Sequence, residues 1–173
     1  MQETVTYRIY KYKYKDHKKY KKPLLEYFKS EPVSRRNVKK DSIYKFDFDR
    51  STDLNRNWVK MILQSFVSSF EKFLIDMKFK TIDLKDLWFQ QYKKGNTHQR
   101  HIHGCTFTGV YYVKYDKNCV GTELVNPINN KIIRPKVSEG DIIVFPSFII
   151  HTAPPQISNT LKTIISFNFD CDL

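Results

Sequence analysis

Hydrophobic and polar positions follow two different rhythms along the chain, and the rhythm changes near residue 80. From Leu54 to Phe79 the apolar residues Leu54, Trp58, Met61, Ile62, Phe66, Phe70, Phe73, Leu74 and Met77 recur at steps of three and four. That spacing predicts one long amphipathic helix whose aromatic stripe packs on a sheet. Ser51, Thr52 and Asp53 stand just before it and offer N-cap oxygens. Earlier, residues Val5 to Lys15 alternate aromatic and basic side chains after Ile9, which predicts an amphipathic strand, its lysines suited to a sheet edge. Leu24 to Phe28, following Pro23, reads as a short helix ending near Pro32, and the basic stretch from Ser34 to Asp41 reads as a loop.

Beyond residue 80 the period falls to two. Thr81–Tyr92, Thr108–Lys114, Glu123–Val125, Lys131–Ile133, Asp141–Phe145, a segment at His151 and Leu161–Asp170 are separated by Gly, Pro and Asn. Short strands at spacings of about 8 to 15 residues predict an antiparallel sandwich or barrel. No internal repeat is visible. In the last strand Lys162, Ile164, Ser166 and Asn168 share one side, while Thr163, Ile165, Phe167 and Phe169 share the other. If the apolar side packs under the long helix, the polar side faces either plain solvent or a cavity suited to an anionic ligand.

The chemistry concentrates in Arg100-His101-Ile102-His103. Two histidines one residue apart on an extended chain point to the same side and can hold one metal ion. His151 follows an apolar strand that can return beside them, and three ligands on one face leave the opposite positions open. His98, close to the pair, reads as a loop or supporting residue.

With 173 residues and 20.7 kDa the chain is expected to form one domain, residues 1–173. A hydrophobic fraction of 40% and an aromatic fraction of 15% exclude disorder as the default. The net charge of +12 admits two readings. One is an anionic partner such as nucleic acid, for which Val5–Lys15 provides aromatics interleaved with cations. The other is solubility and A/T-rich coding, since 23 lysines stand against 7 arginines. Three cysteines without a CxxC pair fit a reducing compartment, and neither a secretory leader nor an apolar run near 18 residues is present, so a soluble cytoplasmic protein is expected.

Taken in order, Arg100-His101-Ile102-His103, Thr108-Gly109-Val110-Tyr111-Tyr112-Val113, Gly121 to Pro127, Glu139-Gly140-Asp141 to Ser147 with His151, and Lys162 to Asn168 resemble the 2-oxoglutarate/Fe(II)-dependent oxygenases. The likeness is strongest to their compact prolyl-4-hydroxylase-like branch of bacteria and viruses. It implies an α+β, mainly β fold: a double-stranded β-helix, or jelly-roll (cupin-like) barrel, over residues 81–173, with residues 1–80 as an N-terminal strand and helical support. It implies that His101, His103 and His151 bind Fe(II), and that Lys162, 11 residues after His151, anchors the far carboxylate of 2-oxoglutarate with help from Tyr112. Tyr92 and Ser166 take lining positions, and Asn168 approaches the metal or substrate. Fe(II), 2-oxoglutarate and O2 are the implied cofactor and co-substrates, and a protein or peptide side chain, proline first, the implied target.

Two departures stand out. Many members of the superfamily carry Asp or Glu where this chain has His103, so a carboxylate from Asp116 or Glu123 is an alternative ligand, and lysine replaces the commoner arginine anchor, giving a single-point contact. Two further readings compete with the hydroxylase: an oxidative demethylase of nucleic acid, and a cupin-like protein that binds zinc or nickel through three histidines without 2-oxoglutarate turnover. Residues 34–41 and 125–136 are candidate substrate walls.

Overall fold

The computed structural model describes residues 7–32 and 42–172. The loop expected at 34–41 and the start of the first expected strand lie outside them. Two antiparallel sheets form the body. The larger has the order β1 (Tyr10–Lys13), β8 (Asp141–Pro146), β5 (Phe107–Lys114), β10 (Lys162–Asp172), β3 (Thr81–Tyr92) and β2 (Lys45–Phe46). The smaller has the order β4 (His98–His101), β9 (His151–Ala153), β6 (Glu123–Val125) and β7 (Ile132–Ile133).

Period two divides the large sheet into two chemically distinct faces. On β10, Ile165, Phe167 and Phe169 join Leu87 and Phe89 of β3 and Phe107 and Tyr111 of β5 in a cluster under the helices. The opposite face, with Tyr92, Val110, Tyr112 and Ile164, packs on Leu124, Ile149 and Ala153 around the small sheet. Register holds the alternation in place, with Ser166 opposite both Trp88 and Val110, and Asn168 opposite both Asp86 and Thr108. Aromatic edges tie the helical layer to the sheet: Phe66 and Phe70 lie 5.1 and 5.2 Å from the Phe167 ring centre, nearly perpendicular to it. Gly109, directly opposite Phe167, leaves room for that ring, since a Cβ there would lie 2.0 Å from Phe167 Cζ.

Three local expectations are corrected. The helix expected at Leu24–Phe28 is α1, His17–Ser30, with Pro23 inside it. An interior proline costs about 3 kcal/mol, and complete burial of Leu24 and Phe28, about 1.5 to 3 kcal/mol each, offsets it. The single helix expected from Leu54 to Phe79 is two, α2 (Asn57–Ser68) and α3 (Glu71–Met77). At the break, the hydroxyls of Ser68 and Ser69 donate to the carbonyls of Gln64 and Phe66, and such local bonds compete with helix continuation. Nor do Ser51 to Asp53 cap α2. The N-cap position is Arg56, Ser51 donates instead to Asp86, and Asp53 accepts from the Asn55 amide.

The segment between β2 and α2 is fixed by a buried ion pair. Arg56 bonds Asp47 and the carbonyl of Leu87, while the other Asp47 oxygen accepts the Phe89 amide at 2.8 Å and Trp58 Nε1 donates to the carboxylate at 3.0 Å. At the sheet edge, Tyr10 and Tyr12 turn inward against Phe73 and Phe70, at 5.0 and 5.8 Å. Their half-buried rings pack against the core cluster. Among the described residues no helix is long and apolar enough to cross a membrane.

Candidate metal centre and its cavity

Antiparallel pairing of β4 with β9 sets His101 opposite His151. The chain stays close to that partner beyond the strand end, where the His103 amide donates to the Ser147 carbonyl at 3.2 Å. One ligand atom from each of His101, His103 and His151 lies within 4.8 Å of the others. The ring centres are 4.2 Å apart for His101 and His151, 5.0 Å for His101 and His103, and 5.1 Å for His103 and His151.

Two of the rings are held in a ligating tautomer. His151 Nδ1 lies 3.0 Å from the Ile149 carbonyl oxygen and His101 Nδ1 lies 2.7 Å from that of Gln99. A carbonyl only accepts, so each Nδ1 carries the proton and each Nε2 keeps its lone pair. Burial, reinforced by the neighbouring His101, pushes His151 down to about 3 and His103 down to about 4. Both are therefore neutral near pH 7, the form that binds metal. His98 lies outside the trio on β4, its ring stacked 4.1 Å from that of His101.

Neither carboxylate considered from the sequence belongs to this group. Asp116 accepts from the Cys119 amide and from the hydroxyls of Ser158 and Thr160, and Glu123 accepts from Arg134 at 2.7 Å. The carboxylate connected to the histidines is Asp86. It accepts Asn168 Nδ2 at 3.2 Å, and that nitrogen lies 3.4 Å from His103 Nδ1. Thr108 completes the row by donating to Asn168 Oδ1 at 2.9 Å, and its own oxygen lies 2.8 Å from the Ser147 hydroxyl.

The histidines border a cavity open to solvent, with Trp88, Gln90, Tyr92, Thr108 and Ser166 on the large-sheet side. It encloses about 20 Å³, roughly the room of one water. Of the residues singled out in sequence, Tyr92 and Ser166 line it, and Ser166 donates to Gln90 Oε1 at 2.9 Å. Lys162 and Tyr112 lie behind that lining. Lys162 is fully buried, donates to the Val120 carbonyl at 2.7 Å, and has its ammonium 4.9 Å from the Tyr92 ring centre. Burial pulls its pKa down to about 7. Tyr112 donates to the Thr122 hydroxyl at 3.0 Å and accepts the Thr122 amide at 3.2 Å.

No protein-family model matches this chain, and no curated protein matches it in sequence. Solved structures do. The viral collagen prolyl hydroxylase of Paramecium bursaria Chlorella virus-1, in its 2-oxoglutarate complex, superposes with a TM-score of 0.65 at 15% identity, covering 95% of this chain and 96% of that one. A Trichoplax adhaerens prolyl hydroxylase, in complex with a peptide fragment of the hypoxia inducible factor oxygen degradation domain, gives 0.65 at 16% identity over 93% and 82%. A Pseudomonas putida prolyl-4-hydroxylase gives 0.60 at 10% identity over 94% and 93%. The chain has the prolyl hydroxylase fold.

On this prolyl hydroxylase fold, sequence reasoning overlooked Asp86, Trp88, Gln90 and Thr108. The signal was present, because Asp86, Trp88 and Gln90 share the period-two face of Tyr92 on β3, and Thr108 shares that of Tyr112 on β5.

Proposed function

We propose that the protein is an Fe(II)- and 2-oxoglutarate-dependent dioxygenase that hydroxylates a protein or peptide side chain, with proline as the first candidate. The observation that carries this reading is the convergence of three imidazoles beside a cavity in the prolyl hydroxylase fold. Known structures of that fold include one with 2-oxoglutarate and one with a peptide bound, which supports the same co-substrate and substrate class here. The jelly-roll arrangement of residues 81–173 belongs to this reading.

The donor set suits the ion. Neutral imidazoles are good ligands for Fe(II), and His101, His103 and His151 would hold it from one side. Iron with a 2-oxo acid and O2 supplies oxidation of a substrate C–H bond, with succinate and CO2 as by-products. The chain's own residues bind, orient and exclude water. Lys162 would exchange the Val120 carbonyl for the far carboxylate of the diacid, with Tyr112 and Tyr92 beside it and Ser166 along the wall. Asn168, whose Nδ2 can only donate to His103 Nδ1, would have to release that nitrogen for His103 to ligate through it. Asp86, one residue behind Asn168, would supply negative charge that three neutral ligands lack.

The test is an anaerobic titration of the protein with Fe(II) and 2-oxoglutarate, followed by air. A weak visible charge-transfer band and then succinate are expected. Tight binding of zinc or nickel with neither band nor succinate would replace this reading with that of a metal-binding protein of the same fold.

A further inference from the structure

On the helix side of the large sheet, away from the histidines, a cleft of about 380 Å³ lies between α1 and the ends of β3, β5 and β10. We propose that it binds a small phosphate-bearing anion. The argument starts from the register. Everywhere else this face of the sheet is apolar, yet at its end Gln91 stands opposite Thr163, and Thr163 stands opposite Lys114, where a bulge between Thr163 and Ile164 alters the pairing. Lys45 of β2 extends the same row beside Gln91. Within the row Lys45 bonds the carbonyls at the end of α1, and Gln91 bonds Thr163 with a second amide hydrogen to spare.

The groups over this floor are cationic. Lys21, Lys22 and Lys29 reach the cleft from α1 and Lys114 from β5, against one carboxylate, Glu26. Lys21 is paired with Glu139, Lys29 donates to Glu26 at 2.9 Å, and Lys45 is occupied at the carbonyls of Phe28 and Lys29. Lys22 and Lys114 make no ion pair or hydrogen bond among the described residues. Two like charges facing one cleft repel, and an anion between them removes that cost. Below them, Gln91 donates one amide hydrogen to Thr163 at 3.3 Å and has a second to offer. Two ammonium groups without an ion pair among the described residues, above an amide donor, match the several acceptor oxygens and near-double charge of a phosphate group. The limited volume favours a small molecule over a polymer.

The experiment is calorimetric titration of the full chain with pyrophosphate at low and moderate salt, using two double variants that each remove two positive charges. Lys22→Gln with Lys114→Gln removes two of the cleft's lysine charges. Lys18→Gln with Lys19→Gln removes the same charge from exposed positions of α1 outside it. Saturable one-to-one binding, weakened about tenfold by the first variant and less than about twofold by the second, supports the proposal. Equal loss in both variants, or heat that never saturates, shows only diffuse attraction to a basic protein and overturns it. A single-stranded oligonucleotide that binds more tightly than pyrophosphate and depends on Lys22 and Lys114 also overturns it, in favour of a nucleic-acid surface.

Discussion

The ammonium of Lys162 sits 4.9 Å from the centre of the Tyr92 ring with no solvent exposure of its own. A charge so placed is costly, which is why its pKa falls to about 7. In the unfolded chain a lysine titrates near 10.4, so between these values the unfolded state holds a proton that the folded state has lost. Raising the pH from about 7 toward 10 therefore stabilises the fold, while below about 7 both states are charged and the cost is constant. Lys162→Met is expected to be more stable than the parent at pH 6 by roughly 3 to 5 kcal/mol, less what the abandoned Val120 carbonyl costs. Urea unfolding at pH 6 and pH 10 should show that advantage closing, and a gap independent of pH would contradict the assignment.

The same titration bears on the proposed binding of 2-oxoglutarate. If the charged form of Lys162 receives the 2-oxoglutarate carboxylate, the dissociation constant should rise by up to about tenfold per pH unit above 7. Lys162→Ala should bind weakly with no such slope. Equilibrium binding measured anaerobically between pH 6 and 9 decides the point.

Asn168 bridges Asp86 and His103. An amide nitrogen only donates, so the contact with neutral His103 engages its Nδ1 lone pair and competes with a metal for it; Asn168→Ala is expected to tighten Fe(II) binding by about two- to tenfold. Ser166→Ala removes a buried hydrogen bond to Gln90 but touches no histidine, so it should leave metal affinity nearly unchanged. Equal metal affinity in the two variants would show that Asn168 contributes only to folding.

Gly109 is required by its neighbour. Gly109→Ala drives a methyl group into the Phe167 ring and should destabilise the protein by about 1 to 3 kcal/mol or more. Phe167→Leu in the same chain should recover part of that loss. Thermal unfolding of the two single variants and the double variant gives the coupling directly.

For the Asp47–Arg56 pair, removing one partner leaves an uncompensated buried charge. Asp47→Ala should cost about 3 to 5 kcal/mol, and the double variant Asp47→Leu with Arg56→Met should cost less than either single change. A double variant as costly as the sum of the singles would show that the two side chains act through separate contacts.

Much of this was legible in the sequence because strands write their faces at period two. The split of β10 into Lys162, Ser166 and Asn168 against Ile165 and Phe167 follows from alternation, whereas His103, beyond the end of β4, is brought to His101 by its amide bond to Ser147. What alternation could not disclose was commitment to partners. Asp116 and Glu123 read as free carboxylates, and only tertiary structure shows them bound to Thr160 and Arg134. The burial of Lys162 was hidden for the same reason. The break at Ser69 escaped because the apolar stripe continues across it, while two serine hydroxyls, which carry no periodic signal, end the helix. Pro23 misled in the other direction, marking a start where tertiary burial of Leu24 and Phe28 kept one helix running.

β10 has a consequence for how such a protein can diversify. Because its odd positions carry packing and its even positions carry the cavity wall, substitution at Ser166 or Ile164 can reshape what the pocket accepts with little disturbance of the aromatic core. Insertion or deletion of one residue does the reverse. It would invert the strand, sending phenylalanines into the pocket and a lysine into the core, so that pocket and fold would fail together. Selectivity in this chain is thus open to gradual exploration by point mutation, and closed to change in length.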